Sequence, residues 1–170
     1  MTNDYQRQLI SRLFHAYGGP ELSPEEFLQK WGASDGSKLG FDLLVDASQR
    51  RDSDDLEDAM AVCFTFGFGA AHFPVLIELS DAQWHSRHED MITALDSYQS
   101  AEAVDAFKRA TKWIPNYLDY DESRALAKKA IWALARMDNP KGWTALEELA
   151  ESDDALVRNA AAEKLEMRDQ

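Results

Sequence analysis

The sequence predicts an all-α chain whose helical hairpins stack into a right-handed α-solenoid, and three observations carry that expectation. An apolar triad with spacing i, i+3, i+6 returns four times, as Phe41–Leu44–Ala47, Phe73–Leu76–Leu79, Val104–Phe107–Ala110 and Trp143–Leu146–Leu149, with starts 32, 31 and 39 residues apart. A further apolar marker follows the third position by sixteen residues, as Cys63, Leu95 and Leu165, while in the third unit Leu134 follows by twenty-four. Glycine and proline are scarce (8 and 5 of 170 residues), and no long run alternates apolar with polar as a half-buried strand would. A period in the thirties made of two helical stretches means hairpins that bury their apolar faces only against their neighbours.

The elements follow in order. Residues 3–17 place Leu9, Ile10, Leu13, Phe14 and Tyr17 on one helical face, and Gly18–Gly19–Pro20 is expected to end that helix. Ser23–Pro24–Glu25–Glu26 is a helix start, with a serine cap, proline in the first turn and carboxylates near the positive end of the helix dipole. That helix runs to about Trp31 and gives way to the turn-rich stretch from Gly32 to Ser37. The repeats then occupy 38–48 with 54–66, 71–80 with 86–98, 100–113 with 122–137, and 141–150 with 154–167. Residues 1–170 thus read as one domain of about four hairpins (38–167) behind an N-terminal helical cap (1–35). Turns such as Asp52–Ser53–Asp54–Asp55 and Ser152–Asp153–Asp154 supply side chains to cap the second helix of a pair.

The final unit carries a specific resemblance. Leu146 and Leu149, the turn Ser152–Asp153–Asp154, then Val157–Arg158, Ala161–Ala162 and Leu165 together resemble the HEAT-like repeat consensus. In that pattern small alanines let helices approach closely, and the arginine reaches acidic or carbonyl groups of the adjacent turn. The earlier units are degenerate, with Asp55–Leu56, Arg87–His88 and Leu126–Ala127 at the Val–Arg positions. The resemblance is closest over 141–167, weaker over 38–137 and absent before that. It implies an α-solenoid that binds other macromolecules.

Composition narrows the partner. Thirty-one acidic against 18 basic residues give a net charge of −13. Such a field repels phosphate backbones, which argues against direct nucleic-acid binding, and attracts basic proteins. The opening stretch MTNDYQRQLI lacks a basic region followed by an apolar run, and no apolar run is long enough for a membrane span. The single cysteine, Cys63, sits at an apolar repeat position and has no disulfide partner in the chain. A cytoplasmic protein is expected.

Departures from the repeat point to a binding surface. The third unit carries eight extra residues between its helices, where Trp113, Tyr117 and Tyr120 interleave with Asp119, Asp121 and Glu122, and Pro115 blocks simple helix extension. Aromatic side chains flanked by carboxylates suit an interface anchor that meets Lys or Arg; the competing reading folds Trp113 and Ile114 back into the core. Asp52, Asp54 and Asp55 precede or open another second helix, and Trp84 lies in the next such turn. These ten residues form the expected partner-binding set. His85, His88 and Glu89 have a spacing that zinc accepts, but a surface helix start explains them better, and no metal is expected. The stretch from Phe64 to Pro74 reads as a helix end and a glycine turn packed in the core; its glycines do not form a phosphate loop. No serine lies in a nucleophile-elbow setting, so neither an enzyme nor a cofactor is expected.

Two functions fit. A small, acidic, degenerate α-solenoid is similar to bacterial immunity proteins that neutralise polymorphic toxins, many of them nucleases with basic clefts. That likeness implies occlusion of a basic toxin by an acidic face. The alternative is a scaffold or adaptor in an endogenous complex. HEAT-like proteins also include bilin lyases and base-excision glycosylases, and the negative charge argues against the latter.

Overall fold

Side-chain caps fix where most helices begin. The computed structural model describes residues 2–14, 21–118 and 124–168, and the chain divides into two compact units, Met1–Val75 and Leu76–Gln170. Among the described residues there is no β-strand.

In the first unit, α1 (Asp4–Leu13) opens on Asn3, whose side chain accepts from the Gln6 N–H while the Gln6 side chain returns the bond. Helix α2 (Pro24–Trp31) opens on the Ser23–Glu26 capping box with Pro24 in its first turn, and ends at Gly32, φ +81°. Helix α3 (Gly36–Arg50) is capped by Asp35, and α4 (Ser53–Phe66) by Asp52. Leu9, Ile10, Leu22, Phe27 and Val62 form one buried cluster, against which Leu13, Trp31 and Phe66 pack. The first helix stops at Leu13, earlier than the expected Tyr17, and Phe14 is exposed. Tyr17 and Gly18–Gly19–Pro20 lie outside the described residues.

Helices α3 and α4 approach so closely that only glycine fits between them. A Cβ on Gly40 would lie 2.9 Å from Cys63 Sγ, and one on Gly36 would lie 2.2 Å from the Phe66 ring. The stretch after α4 turns through Gly67 at φ +89°. It is less buried than expected: Phe64 is exposed and meets Phe68 edge-on at 5.1 Å, while Phe66 and Phe68 are half-buried.

Helix α5 (His72–Leu79) contains the division between the units. The second unit continues with α6 (His88–Asp96), a short 3₁₀ turn (Ala101–Ala103) running into α7 (Val104–Lys112), α8 (Ala125–Arg136), α9 (Pro140–Leu149) and α10 (Ala155–Arg168). Helix α8 packs on both α6 and α10, and α7 packs on α9. Ion pairs join like members of successive hairpins. In the first-helix layer Lys108 pairs with Glu148, and in the second-helix layer Lys129 meets Glu89 at 3.1 Å, Arg136 pairs with Asp96, and Arg124 with Asp154.

The repeat positions are occupied as helices should occupy them, with one shift in register. The second and third members of each triad are buried throughout: Leu44 and Ala47, Leu76 and Leu79, Phe107 and Ala110, Leu146 and Leu149. Cys63, Leu95 and Leu134 are fully buried on second helices. The leading positions, expected in the core, are not: Phe41, Phe73 and Trp143 are half-buried, and only Val104 is buried. They lie at the rim of the helix contacts, where Phe41 meets His72 edge-on at 5.2 Å and Trp143 sits under the Arg168 guanidinium at 5.1 Å. Leu165 is also half-buried, beside a buried Lys164.

Candidate partner-binding surface

The expected site residues fall into two groups, one in each unit. In the first unit the carboxylates are held largely by the fold itself. Asp52 caps α4 by accepting from the Asp55 N–H at 3.0 Å and pairs with Arg50 at 2.8 Å. Its carboxyl is lowered first by that backbone bond and then by Arg50. Asp55 is only 2% exposed and takes Arg7 at 2.6 Å, Arg50, and the Thr2 N–H at 3.2 Å. Burial pushes its carboxyl up, and the bonds from Arg50 and Thr2 outweigh that, so it stays below its ordinary range. A carboxylate so enclosed offers nothing to a partner; it anchors the start of α4 to α1 and α3. Asp54 is exposed and remains available.

In the second unit the structure gathers three of the aromatics around two histidines. His85 and His88, expected at a solvated helix start, are buried at 5% and 1% exposure, with their rings stacked 4.3 Å apart. Trp84 meets His85 edge-on at 4.9 Å, Trp113 meets His88 edge-on at 4.7 Å, and Tyr117 stacks on His88 at 5.5 Å. The hydrogen bonds fix the tautomers. The Arg87 N–H donates to His85 Nδ1 at 3.0 Å, so Nε2 carries the proton and donates to the Leu79 carbonyl at 2.9 Å. His88 Nε2–H donates to the Ala82 carbonyl at 2.9 Å, which leaves Nδ1 to accept from the Tyr117 hydroxyl at 3.0 Å. Every ring nitrogen is satisfied with both imidazoles neutral. Burial, and then the neighbouring His88, pull His85 down to about 4; burial lowers His88 as well. Among the described residues no group of three or more His, Cys, Asp or Glu is placed to hold a metal ion.

The insert between α7 and α8 therefore begins as a docked segment. Trp113 and Tyr117 are half-buried, Ile114 is exposed, and Pro115 and Leu118 are buried. Trp113, Ile114, Pro115 and Leu118 line a shallow hollow with Leu126 and Ala127. Asp119, Tyr120, Asp121 and Glu122 lie outside the described residues. Just after them, Arg124 adopts φ +56° and donates to the Thr111 carbonyl at 2.7 Å while pairing with Asp154, tying the end of α7 to the start of α10.

The last hairpin shows the turn chemistry that its motif implied. Asp154 accepts from the Leu156 N–H at 2.9 Å, and Arg158 donates to the Ser152 carbonyl at 2.5 Å. A family model described as HEAT repeats matches residues 73–166, more than half of the chain. The chain belongs to the HEAT-repeat family. HEAT repeats generally mediate protein–protein interaction, which suggests a protein partner. No curated protein and no solved structure matches this HEAT-repeat chain. Among its described residues no helix is long and apolar enough to cross a membrane.

The burial of the histidine pair was not legible in the sequence, and one exposed feature went unnoticed there. Trp132, on α8, is 53% exposed, with the Lys164 ammonium 3.9 Å from its ring centre. Its signal in the sequence is an aromatic at i+4 from Lys128 on a helix without carboxylates, at a position outside the repeat markers.

Proposed function

We propose that this HEAT-repeat chain is a non-catalytic inhibitor that binds a basic protein and covers the cationic surface with which that protein works, as a toxin-immunity protein does. The observation that carries this reading is the net charge of −13 on a repeat framework of a kind that binds proteins. Acidic side chains at the rim steer a basic partner in, and aromatic side chains hold it. Trp84, Trp113 and Tyr117 of the second unit are the anchors; Asp119, Tyr120, Asp121 and Glu122, which follow Tyr117 in the sequence, and Asp52 and Asp54 of the first unit supply the remaining contacts. Asp55, enclosed by Arg7, Arg50 and the Thr2 N–H, contributes by holding the start of α4 in place. In this reading about four hairpins behind the N-terminal helices form a right-handed solenoid, and the protein works in the cytoplasm without cofactor or metal.

The test is capture of the partner from the source cells with the chain as bait, followed by production of the captured protein alone and together with the chain. The expected partner is basic, harmful alone and harmless in complex. A partner that is acidic, or that is equally innocuous in both conditions, defeats the inhibitor reading. The adaptor reading is favoured by one observation, the exposed Trp132 with Lys128 on a helix, α8, that carries no carboxylate.

A further inference from the structure

On α8, Lys128, Trp132 and Arg136 follow one another at intervals of four, so they form a single exposed line down the helix. No carboxylate occurs between Ala125 and Arg136, in a chain whose net charge is −13. The acids that reach this ridge from neighbouring helices are already engaged: Glu89 with Lys129, Asp96 with Arg136, and Glu163 with Lys164. Lys128 has no ion-pair partner among the described residues, and Arg136 keeps a side chain 61% exposed beside Asp96. Among the described residues the four cations Lys128, Lys129, Arg136 and Lys164 thus outnumber the three acids that meet them, in a chain whose acids otherwise outnumber its bases.

The apolar part of the ridge is held in place. Lys164 is buried, with its ammonium over one face of the Trp132 ring and 3.7 Å from the sulfur of Met167, itself exposed. A tryptophan held on one face and still 53% exposed has little freedom left for binding to cost. Tryptophan and arginine are the residue types that most often dominate binding energy at interfaces.

We propose that this α8 ridge is a second docking surface, which takes an acidic segment of a protein partner with an apolar side chain seated on Trp132 and carboxylates on Lys128 and Arg136. Single-stranded nucleic acid also offers a stacking group with negative charge. It is disfavoured because α8 presents one exposed aromatic, Trp132, whereas strand binding stacks successive bases on several. The inference rests on the chain being a protein-binding module and not on its first partner being basic. A chain with docking surfaces of opposite sign can hold two proteins at once, which is what an adaptor does.

The experiment is selection of a phage-displayed random-peptide library on the intact chain, with Trp132→Ala and Lys128→Glu chains as counter-targets and a single-stranded oligothymidylate as a competing probe. The expected result is enrichment of peptides that combine several Asp or Glu with one large apolar residue. Their affinity should fall at least about tenfold for Trp132→Ala and should become less salt-dependent for Lys128→Glu, with helix content by circular dichroism unchanged in both. Basic consensus peptides, peptides indifferent to both substitutions, no enrichment, or displacement by oligothymidylate at lower concentration than by the peptides would each overturn the proposal. Failure here leaves the inhibitor reading untouched, because that reading is decided by the charge and toxicity of the captured partner and not by peptides bound at α8.

Discussion

The Tyr117 hydroxyl donates to His88 Nδ1 at 3.0 Å, and this bond ties the segment between α7 and α8 to the first residue of α6. It also makes the aromatic part of the candidate surface a pre-organised object. Replacing Tyr117 with phenylalanine leaves a buried imidazole nitrogen without its donor and should cost about 1 kcal/mol of stability. Hydrogen exchange should show faster opening at 113–118 with α10 unaffected. Unchanged protection in the insert would mean that the bond does not hold it.

The histidine pair makes stability depend on pH in a defined direction. Both imidazoles are held neutral, with values lowered from the ordinary 6.5, to about 4 for His85. The unfolded chain takes up these protons first as pH falls, so the contribution is complete above about 6.5 and is lost as pH drops through the window down to about 4. For His85 the loss is on the order of 3 kcal/mol. NMR titration of the ring carbons checks this directly: the His85 ring should remain neutral at pH 5.5 and the His88 ring should titrate below its ordinary range, whereas titration of either near 6.5 would contradict the buried placement.

Asp58 gives the opposite slope. Burial raises its carboxyl to about 6, and Arg7, at 3.5 Å, only partly offsets that; its Oδ2 has no hydrogen-bond donor. The folded value lies above the unfolded one, so stability is greatest below about 4 and declines as pH rises through 6. Asp58→Asn should therefore stabilise the protein by about 1–3 kcal/mol at pH 7 and change little at pH 4. Urea melts at the two pH values decide it, and destabilisation at pH 7 would show that the carboxylate is needed in its charged form.

The shifted register of burial predicts a graded set of core substitutions. Leu44→Ala and Leu146→Ala remove fully buried side chains and should each cost about 2–5 kcal/mol. Trp143→Ala removes a half-buried ring and should cost less than Leu146→Ala on the same helix. Thermal or urea unfolding of the two α9 variants tests the order, and a larger loss for Trp143 would restore the leading position to the core.

Much of the helical layout was legible in the sequence because capping and periodicity are local. Ser23, Asp35, Asp52 and Asn139 each cap the helix that follows them. The sixteen-residue spacing located Cys63 and Leu95 in the core. What was not legible depends on contacts distant in sequence. His88 and Tyr117 are twenty-nine residues apart, and nothing in the spacing of His85 and His88 distinguishes a stacked, buried pair from a solvated helix start. Asp55 reads as one more acid of an acidic turn until Arg7, forty-eight residues earlier, is found on it. Aromatic size also misled: Phe41 and Trp143 are large enough to suggest a core, yet they close its rim.

The measurement that bears most directly on the central claim is the association rate of the chain with its captured partner as a function of salt. The account predicts fast association that slows steeply as ionic strength rises. Charge reversal at Asp54, Asp119 and Asp121 should slow it further and flatten the salt dependence, while Trp113→Ala should chiefly speed dissociation. An association rate indifferent to salt and to those reversals would contradict the electrostatic account and leave an apolar scaffold interface in its place.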